Sequence, residues 1–190
     1  TPDVIMIGEI RDARTATTAI HAGASGQLVL ATIHARSAAE AVDTMIHYGV
    51  NPKAISQSLL GAINQRLVGR ICSKCGERID GEQPEVDARV APRLGNQSAE
   101  VWKTIGCDDC YGHGFSEMTC VPEILSINRA LKDVIANGST AVTLEDAAKT
   151  NGMLCMAEAL AARVYRGETT PHEAHRVIPA PQFSKLRVTV

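Results

Sequence analysis

The chain has 190 residues, of which 45% are hydrophobic and 21% are charged, so it has enough apolar side chains to fill a core. Its net charge of -2 and its aromatic content of 3% argue against a nucleic-acid partner, because such proteins use basic patches and stacking rings. No apolar run approaches the roughly 20 residues that a membrane-spanning helix needs, and the first residues show no signal-peptide pattern.

The first elements predict a strand, a helix and a second strand. An apolar run over Val4–Ile7 leads through a glycine to Glu9, and a second apolar run over Leu28–Ile33 ends at His34. Between them, residues 13–24 place Ala and Ile at helical spacing. A parallel strand that is covered on both faces reads as a continuous apolar run, so we expect two buried parallel strands joined by a right-handed crossover.

Glu9 and His34 are the first candidate site residues. Both follow the carboxyl ends of the predicted strands, where α/β proteins bind their ligands. A carboxylate and an imidazole at one sheet edge can activate a water molecule and sense a phosphate group. Taken singly, Glu9 also fits an ordinary surface carboxylate, and His34 fits a hydrogen-bonded histidine at the end of a strand.

Two helices are predicted next. Ser37 and Glu40 form a capping-box pattern that begins a helix ending at Gly49. Pro52 begins another, in which apolar residues recur at spacings of three and four as far as Val68, so one face should pack on the sheet. Arg66 lies near its end, where it fits a solvated cation favoured by the helix dipole.

Two C-x-x-C turns, 31 residues apart, give the strongest spacing signal. The cysteines are Cys72, Cys75, Cys107 and Cys110. Four thiolates complete the tetrahedral set that Zn²⁺ prefers in structural sites. Two disulfides or a redox pair are the alternatives, although disulfides suit a small secreted domain. We expect a helix over 99–104 in the spacer, and buried free thiols at Cys120 and Cys155.

The remainder reads as a small helical region. Helices are predicted from Asn128 to the glycine at 138, from Thr143 to the glycine at 152 and over 153–166, and one last turn is predicted over 171–177. Residues 179–190 match no pattern and are expected to form a frayed terminus.

The stretch Val4-Ile5-Met6-Ile7-Gly8-Glu9-Ile10-Arg11-Asp12 resembles the Walker B strand of the type II secretion and type IV pilus assembly ATPases. The second strand ending in Thr-x-His and the paired C-x-x-C turns resemble the same family in the same order, and the likeness extends to about Ile178. This resemblance implies an α/β fold with a partial RecA-like P-loop ATPase core with parallel strands at 1–71. A tetracysteine zinc-binding insertion and a short strand would follow at 72–125, with a helical carboxyl-terminal subdomain at 126–178 and a tail at 179–190.

The resemblance also implies a function. The chain would be the carboxyl-terminal portion of a hexameric ATPase that uses ATP and Mg²⁺ to drive type II secretion or type IV pilus assembly. Glu9 would activate the attacking water and His34 would report the γ-phosphate. Gln27 stands where the family usually has a first histidine, and Arg66 lies in a segment resembling one close to the nucleotide pocket. The implied partners are further subunits of the ring and an inner-membrane platform protein, on the cytoplasmic side of a bacterial inner membrane.

The chain contains no G-x-x-x-x-G-K-[ST] sequence, so the loop that cradles phosphates in such ATPases is absent from these residues. It also opens directly before a predicted core strand. We therefore expect the carboxyl part of a longer protein, inactive alone. The alternatives are a non-catalytic zinc-stabilised protein-interaction module and a nucleic-acid-binding zinc ribbon, and the net charge disfavours the ribbon.

Overall fold

The computed structural model describes residues 2–80 and 84–178, which form an α/β structure of two compact units. Among these residues, the first unit comprises 2–64 and 123–153, and the second comprises 65–122 and 154–178. Each unit has its own cluster of buried apolar side chains. The predicted frayed terminus at 179–190 lies outside the described residues.

The first unit begins with the predicted strand, helix and strand. These are β1 (Val4–Ile10), α1 (Ala13–Ala24) and β2 (Leu28–Ile33). The two strands pair in parallel, from Val4 opposite Leu28 to Ile10 opposite Ile33, which confirms the predicted parallel pair. Asp12 caps α1, because its carboxylate accepts a hydrogen bond from the backbone N–H of Thr15.

The two strands are covered on one face only within the described part of the chain, so the prediction of two covered faces is wrong there. Ile7, Val29 and Ile33 pack toward the core, and Ile10 is buried. The alternate residues are exposed, with Met6 reaching 78%. Successive side chains point to opposite faces of a strand, so an unbroken apolar run does not reveal whether one face or both are covered.

Four helices complete the first unit. They are α2 (Ala38–His47), α3 (Pro52–Ser58), α4 (Arg129–Ala136) and α5 (Ala141–Thr150). Each begins after a residue whose side chain accepts a hydrogen bond from the first turn; these caps are Ser37, Asn51, Asn128 and Thr140. The α5 cap is three residues earlier than predicted. The apolar faces of these helices bury Val42, Ile55, Leu131, Ile135 and Leu144.

The predicted helix from Pro52 to Val68 is wrong in its second half. The helix ends at Ser58, and β3 (Gly61–Ile71) pairs with β6 (Phe115–Ser126). A Cβ atom at Gly61 would lie 2.8 Å from the Leu125 carbonyl oxygen, so the close approach of the two backbones requires glycine. The apolar spacing matched a helix, but this backbone contact is non-local and leaves little trace in the pattern.

Among its described residues, the second unit also holds a short antiparallel strand pair and two α-helices. β4 (Gly76–Arg78) pairs antiparallel with β5 (Trp102–Thr104), and α6 (Met156–Tyr165) is followed by α7 (Pro171–Val177). The predicted helix over 99–104 is therefore wrong. Its β-branched and aromatic residues fit a half-buried strand better than a helix.

The residues around α7 hold the end of β3 in place. The buried carboxylate of Glu173 accepts a hydrogen bond from the Gly69 N–H at 2.8 Å, and the Thr169 hydroxyl donates to the Gly69 carbonyl at 2.8 Å. Hydrogen bonds from Arg176 are the main reason why the pKa of Glu173 lies below its ordinary value, although burial opposes them. This contact is a buried, charge-assisted anchor within the second unit.

Candidate functional site

Glu9 and His34 meet at the carboxyl ends of β1 and β2. Nε2 of His34 lies 2.7 Å from Oε1 of Glu9. The Glu9 side chain is 19% exposed, whereas the His34 ring is 93% exposed. The parallel pairing of the strands therefore brings together the two residues that the sequence singled out, with a shielded carboxylate beside an accessible imidazole.

Arg11 engages the other oxygen of Glu9. Its Nε donates to Oε2 at 2.5 Å, and its terminal nitrogen also contacts that oxygen. The hydrogen bond from Arg11 is the main cause of the lowered pKa of Glu9; burial opposes it, and the charges of Arg11 and His34 add to it. The carboxylate is therefore ionised near neutral pH. Sequence reasoning missed this pair, although residues two apart at a strand end share a face.

Oε1 of Glu9 retains the capacity to accept a hydrogen bond. This atom is buried, and among the described residues no donor meets it with hydrogen-bond geometry. The His34 nitrogen is close enough for an electrostatic contact but is not aligned for a hydrogen bond. An ionised, shielded oxygen beside an exposed ring can orient a water molecule that enters from the sheet edge.

The segment after His34 is tied down at three backbone groups. The carboxylate of Glu40 accepts from the Arg36 N–H at 2.6 Å and also pairs with the Arg36 guanidinium. Asn64 donates from Nδ2 to the Arg36 carbonyl at 2.9 Å, and Oε1 of Glu123 accepts from the Ala38 N–H at 2.6 Å. The contacts of Asn64 and Glu123 join distant parts of the sequence, so the local pattern gave no signal for them.

The structure does not bring Gln27 to this edge. Gln27 immediately precedes β2, and the N–H of its neighbour Leu28 donates to the Asp3 carbonyl just before β1. Gln27 is therefore at the amino ends of the two strands, whereas Glu9 and His34 are at the carboxyl ends. Its predicted contact with nucleotide stays a prediction.

Arg66 lies on β3, in the second unit, and its guanidinium donates to the Gln65 carbonyl at 3.0 Å. Its interpretation as a helix-end cation is wrong, because the segment is a strand. Its contact with nucleotide also stays a prediction.

The four cysteines of the C-x-x-C turns form one compact cluster in the second unit. All four sulfurs lie within 4.8 Å of one another, and Cys72, Cys75 and Cys110 are buried. Sγ atoms of Cys72 and Cys107 are 3.9 Å apart, and those of Cys75 and Cys110 are 3.7 Å apart. These distances exclude disulfide bonds in this structure, since a disulfide is about 2.05 Å long.

The cluster has the dimensions of a tetrahedral metal site. A Zn–S distance of about 2.3 Å places the sulfurs at the corners of a tetrahedron with edges of about 3.8 Å. The separations of Cys72 from Cys107 (3.9 Å), Cys75 from Cys110 (3.7 Å) and Cys107 from Cys110 (3.7 Å) match that edge, and all four sulfurs lie within 4.8 Å of one another, so the four thiols fit Zn²⁺. Four sulfur ligands leave no open coordination position, which is the character of a structural site.

The second C-x-x-C turn is shaped to present its sulfurs inward. The N–H groups of Cys107 and Gly114 each donate to Sγ of Cys110 at 3.2 Å. Burial raises the pKa of Cys75 to about 12; at Cys110, burial is outweighed by these hydrogen bonds, and the pKa falls to about 6. Gly106 is required at its positive φ of 87°, because a Cβ there would lie 2.6 Å from the Gly112 carbonyl.

The two remaining cysteines differ from expectation. Cys120 is exposed on β6, so its prediction as a buried thiol is wrong. It lies at an outward position of an alternating strand, which an apolar neighbourhood in sequence does not reveal. Cys155 is partly buried just before α6, and its backbone N–H donates to the Glu158 carboxylate at 2.9 Å.

Residues 1–176 match the family described as Type II/IV secretion system protein. The chain belongs to this family. The family resemblance seen in the sequence is therefore confirmed.

Curated relatives of this family member include secretion proteins and pilus assembly ATPases. The chain is 37% identical over 180 residues to the protein transport protein HofB homolog of Escherichia coli, and 35% over 176 residues to the type II secretion system protein HxcR of Pseudomonas aeruginosa. It is 34% identical over 177 residues to the type IV pilus assembly ATPase PilB of Thermus thermophilus. These alignments cover 95%, 93% and 90% of this chain, but only 38%, 34% and 19% of the relatives.

Two solved structures share the α/β fold. One is the pilus retraction motor PilT with bound ADP, with a TM-score of 0.62 and 22% identity over 95% of this chain and 41% of that one. The other is the ATPase DotB of Legionella pneumophila, with a TM-score of 0.59 and 16% identity over 93% of this chain and 38% of that one. In the part of this family member that the structure describes, every helix is too short or too polar to cross a membrane.

Proposed function

We propose that this chain is the carboxyl-terminal portion of a hexameric ATPase that hydrolyses ATP to drive type II secretion or type IV pilus assembly. The observation that carries the proposal is the contact between the shielded Glu9 carboxylate and the exposed His34 ring at the carboxyl edge of a parallel strand pair. The membership of the family and its named ATPase relatives support the same activity.

In this proposal, Glu9 orients the attacking water and takes its proton. Its carboxylate is already ionised, because Arg11 and His34 lower its pKa, and Oε1 can accept a hydrogen bond from the water. His34 projects from the same edge and would contact the γ-phosphate of ATP, and Mg²⁺ would supply positive charge that offsets the charge of the phosphates. The family resemblance assigns Gln27 and Arg66 to the nucleotide as well.

The cysteine cluster completes the proposal with a structural Zn²⁺. Cys72, Cys75, Cys107 and Cys110 would hold the ion, and the sulfur separations support this assignment. The metal would tie the two ends of the 31-residue spacer together. It would stabilise the second unit and take no part in hydrolysis.

The wider assembly follows from the family. The segments proposed are a partial RecA-like core at 1–71, the zinc-binding region at 72–125 and a helical carboxyl-terminal subdomain at 126–178. Because the 190 residues contain no phosphate-loop sequence, this portion is proposed to be inactive by itself. The full-length protein would form a ring on the cytoplasmic side of the inner membrane and act on a platform protein there, with no nucleic-acid partner.

The variant Glu9→Gln in the full-length protein tests the catalytic assignment. Glutamine keeps the size of the side chain and one acceptor oxygen but cannot accept the proton, so ATP binding should persist while kcat falls by about 100-fold or more. The matched control is Glu117→Gln, an exposed carboxylate that pairs with Arg70 on the surface. Phosphate release measures turnover, and unchanged turnover in Glu9→Gln would remove Glu9 from the mechanism.

A non-catalytic zinc-stabilised interaction module is the second candidate. It is favoured by the closed cysteine cluster, which lies in a unit with its own apolar core. Turnover of the full-length protein separates the two candidates. An interaction module would bind its partner without releasing phosphate from ATP, whereas the motor would couple partner binding to phosphate release.

A further inference from the structure

The position of the His34 ring depends on its backbone. The ring is almost fully exposed, so packing does not set its orientation. Its nitrogen nevertheless lies 2.7 Å from Glu9, and a small displacement of the chain would separate the two groups. Whatever fixes the segment from His34 to Ala38 therefore fixes the geometry of the pair.

Glu123 is the most deeply buried anchor of that segment. It is 2% exposed, it lies on β6, and its Oε1 accepts from the N–H of Ala38, the first residue of α2. Ala38 is itself 1% exposed, so its N–H cannot turn to water if the carboxylate is lost. A buried carboxylate at a helix amino end is favoured by the unpaired N–H groups and the helix dipole.

Asn64 restrains the same segment from β3. It is 9% exposed and donates to the Arg36 carbonyl, which stands two residues before Ala38. Together, Asn64 and Glu123 hold one carbonyl and one N–H of a segment that begins at His34. Two buried polar side chains from different strands thus restrain four residues of loop, where secondary structure supplies no ladder of hydrogen bonds.

We infer that Glu123 is a positioning residue, which holds His34 against Glu9 through the backbone of residues 34–38, with Asn64 as its companion. The inference rests on the proposed ATP hydrolysis, because it assigns to Glu123 an effect on turnover without contact with the nucleotide. Glu123 acts through the hydrogen bond that it accepts, so a neutral acceptor of the same shape should replace it.

Three substitutions at these two positions test the inference in the full-length protein. Glu123→Leu removes the acceptor, and kcat should fall by about tenfold or more while KM for ATP changes by less than about twofold, because the loss is one of alignment. Glu123→Gln retains an acceptor oxygen and should keep kcat within about threefold of the unchanged protein. Asn64→Leu should also lower kcat with little change in KM for ATP. It tests the same inference if Glu123→Leu does not fold.

Glu173→Leu is the matched control. Glu173 is also a buried glutamate that accepts a backbone N–H, but that N–H belongs to Gly69 in the second unit. Its loss should lower stability without changing kcat, so a general weakening of the fold is separated from misplacement of His34.

Nuclear magnetic resonance of the 190-residue chain supplies a readout that does not depend on hydrolysis. In Glu123→Leu, the Ala38 amide should exchange with solvent about tenfold faster or more, and the ring resonances of His34 should shift. In Glu123→Gln and Glu173→Leu, the exchange rate of the Ala38 amide and the ring resonances of His34 should stay near their original values.

The possible outcomes are distinct. If Glu123→Leu retains turnover within about twofold while Glu9→Gln abolishes it, the positioning role is wrong and the proposed activity stands. If the unchanged full-length protein releases no phosphate from ATP, the proposed activity fails, and the resonances of His34 and Ala38 still decide whether Glu123 fixes the segment. Unchanged resonances in Glu123→Leu would overturn the inference.

Discussion

Loss of one cysteine ligand should have a measurable and calculable effect on stability. In Cys110→Ser the cluster loses a sulfur, and with it the metal that joins the two C-x-x-C turns. Linking Cys72 to Cys107 closes a segment of 35 residues, for which the loop-entropy expression gives about 4 kcal/mol at 25 °C. For a chain of this size, that loss corresponds to a Tm lower by about 8–16 °C.

Two measurements on the same samples check this value. Metal content by mass spectrometry should fall from one zinc per chain to none, and scanning calorimetry should show the lower Tm for the transition that includes the second unit. Cys120→Ser is the control, because it removes an exposed thiol outside the cluster and should change neither quantity. A metal-free Cys110→Ser chain that melts at the original temperature would refute the argument that the metal closes this loop.

Two further substitutions test the packing of the second unit. Glu173→Leu should lower the free energy of unfolding by about 2 kcal/mol at pH 7, because the buried N–H of Gly69 loses a charged acceptor. The pKa of Glu173 is lowered in the folded chain, so this contribution is present above its unfolded pKa of about 4.3 and is lost as the pH falls through the folded value. Urea titrations at pH 7 and pH 3 should therefore show a smaller difference at pH 3, and an equal difference would contradict the assignment. Gly167→Ala should lower the free energy of unfolding by about 2 kcal/mol, because φ of Gly167 is 69° and the new Cβ would lie 2.6 Å from Nε1 of Trp102. Gly152→Ala is its control: φ is 91° but no atom lies near the new Cβ, so the free energy of unfolding should fall by only about 1 kcal/mol. Fluorescence of the single tryptophan should report the first substitution and not the second.

The candidate site was partly predictable because two of its features are local in sequence. Parallel strands place their carboxyl ends at one edge, so the positions of Glu9 and His34 after two apolar runs were enough to bring them together. The C-x-x-C spacing likewise sets two sulfurs on each turn, and only the meeting of the two turns depends on the rest of the fold.

The missed features depend on contacts across the chain. Residues Gly61–Ile71 carry apolar side chains at helical spacing, yet they pair with β6, and Gly61 approaches the Leu125 backbone in a way no local pattern expresses. The hydrogen bond from Ala38 to Glu123 spans 85 residues of sequence. From the sequence alone, a glutamate in an apolar strand such as Glu123 is expected to be exposed, because its partner, the Ala38 N–H, is not evident.

The exposed apolar face of the β1–β2 pair affects the solubility of the chain. Val4, Met6, Leu28 and Leu30 are all exposed on it, and within residues 2–80 and 84–178 the two-stranded sheet has unpaired edges beside them. Concentrated samples of these 190 residues should therefore self-associate, with light scattering that rises as salt is added. Replacing Met6 and Leu30 with threonine, which keeps β-propensity while adding a hydroxyl group, is the modification to try first for crystallisation or spectroscopy.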